Sequence, residues 1–235
     1  MTDNEPLLEV RDVSKTFTMH LRGGTSIPVL ATVSLSLRPA ECLALIGPSG
    51  IGKSSLLRMI FCNYRCDSGS IRVRDGETWI DLDRADPRVI RQVRRRTIGY
   101  VSQFLRVIPR VSTLAVVAAA GREAGLSEAE SQRRASGLLE RLNIPSRLWS
   151  LPPATFSGGE QQRVNIARGL IGGHAVLLLD EPTASLDAAN RDVVVDLIRD
   201  AKARGAAILG IFHDVDARGR VADRELDLSR FAAAA

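Results

Sequence analysis

The sequence predicts an α/β fold in three parts: a parallel sheet covered on both faces, an antiparallel β layer near the N-terminus, and a helical subdomain inserted in the middle. Two unbroken apolar runs, Cys42-Leu-Ala-Leu-Ile46 and Val176-Leu-Leu-Leu179, carry the first part. A strand that is apolar on both faces needs cover on both faces. The first third is rich in short strand-like runs and turns, which suits an antiparallel layer. The stretch from about 113 to 156 reads as helical and ends in Leu151-Pro152-Pro153, a helix stop.

In chain order, strands are expected over 8–13, 33–37, 42–46, 71–73, 79–82, 98–101, 176–179 and 207–212. Helices are expected over 54–61, 88–95, 128–142, 160–170 and 190–203. A chain of 235 residues suits one large domain over 1–235, with the helical subdomain at approximately 104–160.

Composition narrows the classes. No run approaches 18 consecutive apolar residues, so no direct membrane insertion is expected. The opening Met1-Thr2-Asp3-Asn4-Glu5 is polar and acidic, unlike a secretory signal, and a cytoplasmic location is expected. Cys42, Cys62 and Cys66 are too few for a disulfide framework and lack the ligands of a metal site. The net charge of +5 gathers in Arg88-Val-Ile-Arg-Gln-Val-Arg-Arg-Arg96, read as one solvated helix face. No aromatic platform or nucleic-acid motif accompanies it, so no nucleic-acid partner is expected.

The chemistry starts after the strand at 42–46. Gly47-Pro48-Ser49-Gly50-Ile51-Gly52-Lys53-Ser54 fits G-x-x-x-x-G-K-[ST] between a strand and a helix. Glycines let backbone N–H groups turn inward around phosphates, and the next helix points its positive end at the same anion. Lys53 supplies a cation for the β- and γ-phosphates, and the Ser54 hydroxyl is an oxygen ligand for Mg²⁺. A second apolar strand ends in Asp180-Glu181, at the sheet edge where α/β proteins bind ligands. Asp180 is the expected Mg²⁺ carboxylate, direct or through water. Glu181 is the expected base or positioner for the attacking water.

With Ser157-Gly158-Gly159-Glu160-Gln161 and the following Gln162-Arg163-Val164-Asn165-Ile166-Ala167-Arg168, the chain resembles the ABC ATPases over about residues 7 to 228. Ser-Gly-Gly at a helix start offers N–H groups and a hydroxyl, a second anion site. The resemblance implies a P-loop NTPase fold with a RecA-like core, ATP with Mg²⁺, ATP hydrolysis, and a second ABC subunit, the same or a sister, in an ATP-dependent dimer. It implies a metal- and water-sensing Gln103, a γ-phosphate contact at His213, an interface loop at Ser185-Leu186-Asp187 and adenine stacking on Phe17. Ser55 of the phosphate loop and Glu160 of the signature are included among the nucleotide contacts. Ile51, Ser55, Phe156 and Glu160 depart from the usual residues, and none removes a group that the chemistry needs.

Finer runs are similar to one branch, the L component of the carbon–phosphorus lyase system. These are Ser102-Gln-Phe-Leu-Arg-Val-Ile-Pro-Arg-Val-Ser112, the run 148–169, the run 205–214, the loop 19–28 and Glu77-Thr-Trp-Ile-Asp81. They imply phosphonate degradation with lyase subunits as partners. The alternative is the nucleotide-binding subunit of a lipoprotein-releasing or macrolide-exporting transporter. Phe104, Leu105, Ile108 and Pro109 are expected to form an apolar docking patch. A chromosome-handling ATPase is disfavoured by the lack of a sustained heptad run.

Overall fold

A computed structural model describes residues 5–19, 24–105 and 109–232. The elements are β1 (Leu8–Met19), β2 (Thr25–Leu37), β3 (Cys42–Ile46), α1 (Lys53–Ile60), β4 (Ser68–Asp75), β5 (Thr78–Asp81), α2 (Pro87–Arg96) and β6 (Ile98–Val101). There follow α3 (Thr113–Glu123), α4 (Glu128–Arg141), α5 (Gly158–Leu170), β7 (Val176–Asp180), α6 (Ala188–Ala203), β8 (Ala207–Ile211), α7 (Val215–Val221) and β9 (Arg224–Asp227).

The parallel sheet runs β6-β7-β8-β3-β9. Alternate residues of its strands enter two separate cores, which explains the unbroken apolar runs. Leu43, Leu45, Val176, Leu178 and Leu209 pack with Leu56, Ile60 and the N-terminal layer. Cys42, Ala44, Leu177, Leu179 and Ile208 pack with Val117, Leu139, Val164 and Ile198 of the helical side. The antiparallel layer runs β2-β1-β4-β5.

β1 and β2 are longer than the sequence reading allows. Asp12 and Thr32 take positive φ, 51° in each case, at irregularities in the β1–β2 register. The Asp12 N–H donates to Ser34 Oγ (2.8 Å) and the Thr32 N–H to Ser14 Oγ (3.0 Å). These bulges break the alternation of apolar residues without ending the strands. The loop expected at 19–28 is already strand from Thr25; residues 20–23 lie outside the described residues.

Side-chain caps fix most helix starts. Asp86 accepts from the Arg88 N–H, with Pro87 opening α2, and Ser112, Ser127, Asp187 and Asp214 cap α3, α4, α6 and α7. The arginine face of α2 is mostly exposed, as expected. Arg94 departs from it: its Nε donates to the Phe61 carbonyl (2.8 Å) and its guanidinium lies over the Phe61 ring.

Candidate active site

The strand order determines the site. Gln103 follows β6, Asp180 and Glu181 end β7, His213 follows β8, and the phosphate loop follows β3. These four strands are consecutive neighbours, so residues far apart in sequence meet at one carboxyl edge.

In the phosphate loop, Gly47, Gly50 and Gly52 have positive φ. Gly52, the N-cap of α1 at φ +104°, shows why: a Cβ there would stand 2.7 Å from Val29 Cγ1. Ser49 and Gly50 are exposed at the tip, while Ile51 and Ser55 are half-buried. Lys53, the expected phosphate cation, is only 8% exposed. Its Nζ donates to the carbonyls of Gly47 (2.7 Å) and Pro48 (2.8 Å), so the charge sits at the mouth of the loop. The two carbonyls satisfy the ammonium where the residue is buried.

Asp180 is fully buried. Its Oδ1 accepts from Ser54 Oγ (2.9 Å) and its Oδ2 from the Tyr100 hydroxyl (3.1 Å). Burial pushes its carboxyl above the ordinary range, while both hydroxyls and the Arg58 charge pull the other way. The donor set fits Mg²⁺. Two cis ligands of an octahedral Mg²⁺ at its usual bond length stand about 2.9 Å apart, the spacing of Ser54 Oγ and Asp180 Oδ1.

Glu181 is held from both sides. Oε1 lies 2.9 Å from His213 Nε2, and Oε2 accepts from Gln103 Nε2 at 3.1 Å. Its backbone has φ +55°, costly for a residue with a side chain. Neighbours maintain it: the Glu181 N–H donates to the Ile211 carbonyl (3.1 Å), and Gln162 Nε2 donates to the carbonyls of Glu181 and Pro182 (3.3 Å each).

The signature residues form a separate cluster. Ser157 caps α5 and closes a capping box with Glu160. The Ser157 N–H and hydroxyl both donate to Glu160 Oε2, at 2.9 and 2.7 Å. They hold the Glu160 carboxyl below the usual range, the hydroxyl more than the N–H. The Glu160 side chain is thus committed to the cap. Ser157 and Gly158 are exposed. A Cβ on Gly159 would meet the Ser185 carbonyl at 3.0 Å, which sets the start of α5 against the turn before α6. Among the described residues, no hydrogen bond joins Ser157, Gly158, Gly159 or Glu160 to the phosphate loop, Asp180 or Glu181.

Phe17 is half-buried on β1, edge-on to Tyr64 at 5.2 Å, with Lys15 Nζ 5.3 Å from its ring centre. Of the expected apolar patch, Phe104 is 73% exposed and Pro109 is exposed, Leu105 is half-buried and packs onto the core, and Ile108 lies outside the described residues. Behind Phe104 lies a groove of two adjoining cavities, about 470 and 490 Å³, which share Phe61, Tyr100 and Arg168. Arg58, Arg91, Arg94, Arg95 and Arg168 line it, and among the described residues none has a carboxylate within 4 Å.

Sequence reasoning missed Tyr100 and Gln162. Gln162 stands directly after the signature, which was a usable signal; Tyr100 looked like strand core.

The family described as ABC transporter matches residues 30–184. The lipoprotein-releasing system ATP-binding protein LolD of Maricaulis maris is 41% identical over 216 residues, 92% of this chain and 91% of that protein. The macrolide export ATP-binding/permease protein MacB of Bordetella avium is 35% identical over 96% of this chain, which spans only 33% of that longer protein. Among solved structures, the ATP-binding cassette MJ0796, dimeric in a post-hydrolysis state with ADP and Pi, aligns with a TM-score of 0.84 at 28% identity, covering 94% of this chain and 93% of that one. The phosphate loop, the paired acids at one sheet edge and these matches lead to one conclusion: the chain belongs to the ABC transporter family and is a cassette that hydrolyses ATP with Mg²⁺.

Proposed function

We propose that the chain is the nucleotide-binding subunit of an ABC transporter of the lipoprotein-releasing or macrolide-exporting kind. The observation that carries this reading is the 41% identity to LolD over nearly the full length of both chains. The groove with Phe104 at its mouth supports it, since it is a concave surface lined by five arginines against one carboxylate, Glu123, and suited to a partner. No helix among the described residues is long and apolar enough to cross a membrane, so a transmembrane partner is a separate chain or segment.

The chemistry follows from the geometry. The phosphate-loop N–H groups and Lys53 cradle the β- and γ-phosphates. Ser54, Asp180 and Gln103 would hold Mg²⁺, which when bound would neutralise phosphate charge. Glu181, steadied by Gln103 and His213, takes the proton of the attacking water. His213, 61% exposed, also reaches the γ-phosphate. Phe17 stacks on adenine. Gly158 and Gly159, at the start of α5 beside the Ser157 cap, present their N–H groups to the phosphates of a second cassette, because they do not meet this chain's own phosphate loop. ATP then joins two electropositive surfaces, and hydrolysis releases them.

The carbon–phosphorus lyase reading rests on the runs 102–112, 148–169 and 205–214. The relatives described above are transporter ATPases, so the transporter reading is preferred. Deleting the gene separates the two. Growth on methylphosphonate as sole phosphorus source is expected to be normal, with lipoproteins retained in the inner membrane or macrolide resistance lowered. Lost growth with both transport traits intact returns the assignment to the lyase system.

A further inference from the structure

We propose that Tyr100 is a positioning residue for ATP hydrolysis: its hydroxyl fixes the outer oxygen of the Asp180 carboxylate and so sets the affinity of the site for its divalent cation. Asp180 has no contact with solvent, and its two oxygens are held by different hydroxyls. Ser54 Oγ takes Oδ1 at 2.9 Å, on the side of the phosphate loop. Tyr100 takes Oδ2 at 3.1 Å, from the neighbouring strand β6. With one oxygen pinned on each side, the carboxylate plane has a single orientation. If Oδ2 lost its donor, a buried charged acceptor would be left unsatisfied, and the group would turn toward other donors at the cost of its alignment with Ser54.

Tyr100 is itself well anchored. Its ring lies 5.0 Å from the Phe61 ring. The Arg58 guanidinium donates to the Tyr64 hydroxyl (3.3 Å) and lies close enough to Tyr100 for its charge to be felt there. Val101 and Ile98, on either side of it in β6, are buried in opposite cores. The same ring lines the arginine groove, so the residue that orients the metal carboxylate is also part of the surface offered to a partner.

The inference rests on Asp180 being the metal carboxylate, and the test separates the two claims. Mn²⁺ serves as the probe, its binding to the ADP-loaded protein followed by electron paramagnetic resonance. Tyr100→Phe removes one oxygen atom and keeps the ring. It is expected to weaken Mn²⁺ binding about tenfold and to raise the half-saturating Mg²⁺ for ATP turnover by a similar factor, with a smaller change in kcat at saturating Mg²⁺. Tyr64→Phe removes the other hydroxyl beside Arg58 and is expected to leave Mn²⁺ affinity within threefold of wild type. A change of threefold or less in Tyr100→Phe, or equal losses in the two variants, overturns the proposal. Asp180→Asn guards the premise: if it leaves Mn²⁺ affinity unaltered, the metal-site reading fails first. If it weakens binding while Tyr100→Phe does not, only the role of Tyr100 fails.

Discussion

Glu181→Gln is expected to lower ATP turnover by about 10²–10⁴-fold, the usual worth of a positioned general base, while MgATP still binds. Both carboxylate oxygens of Glu181 are engaged, one by His213 at 2.9 Å and one by Gln103 at 3.1 Å. An amide of the same shape offers one acceptor and one donor. Gln103 can rotate its own amide to satisfy it, so the cluster stays assembled. The proton acceptor does not. Single-turnover hydrolysis of radiolabelled ATP measures the effect, and a variant that turns over within tenfold of wild type removes Glu181 from the chemical step. The positive φ of Glu181, held by Ile211 and Gln162, accords with this placement, because local strain of this kind is retained where geometry matters.

Lys53→Ala is expected to lower ATP hydrolysis by at least about 10²-fold, the cost of removing one aimed electrostatic donor, and to weaken nucleotide binding. The two carbonyls that receive Nζ, those of Gly47 and Pro48, belong to the phosphate loop itself. Removing the ammonium therefore leaves the loop with no cation, whereas Leu56, Leu57 and Ile60, apolar residues that α1 buries, are unchanged. Far-ultraviolet circular dichroism should be unaltered. Titration with a fluorescent ATP analogue, run beside a phosphate-release assay, checks both halves, and wild-type hydrolysis would contradict the phosphate-loop assignment.

The parts of the site that sequence made legible are the contiguous ones. Gly47 to Ser54 is a single turn whose glycines, lysine and serine are dictated locally, and the observed loop has positive φ at three of its glycines. Asp180-Glu181 was legible because an apolar strand has to end somewhere, and paired acids mark the end. Gln103 and His213 were different. Neither carries a local signal, and their convergence on Glu181 depends on β6, β7 and β8 lying side by side, which only the resemblance to a family supplied. Tyr100 was hidden for a further reason. Strand alternation tells which face a side chain takes, not that a hydroxyl at its tip will find a buried carboxylate from the next strand. In the fold, the short α7 and β9 escaped notice because seven and four residues are too few for a periodic signal. The bulges at Asp12 and Thr32 concealed the true length of β1 and β2. In the expected docking patch, the packing of half-buried Leu105 onto the core is a tertiary contact that local sequence does not show.

The central claim is that two incomplete sites on one chain become complete only across a pair of chains. Ser157 and Gly158 are exposed and make no hydrogen bond to the phosphate loop. The direct test is the solution mass of Glu181→Gln by light scattering, with and without MgATP, alone and mixed with a sister cassette where one accompanies it. The account predicts a monomer without nucleotide and a dimer with MgATP, and that adding Ser157→Arg abolishes the dimer by placing bulk and charge where the facing γ-phosphate must sit. A Glu181→Gln protein that stays monomeric in MgATP in every mixture, or a dimer that survives Ser157→Arg, would contradict it.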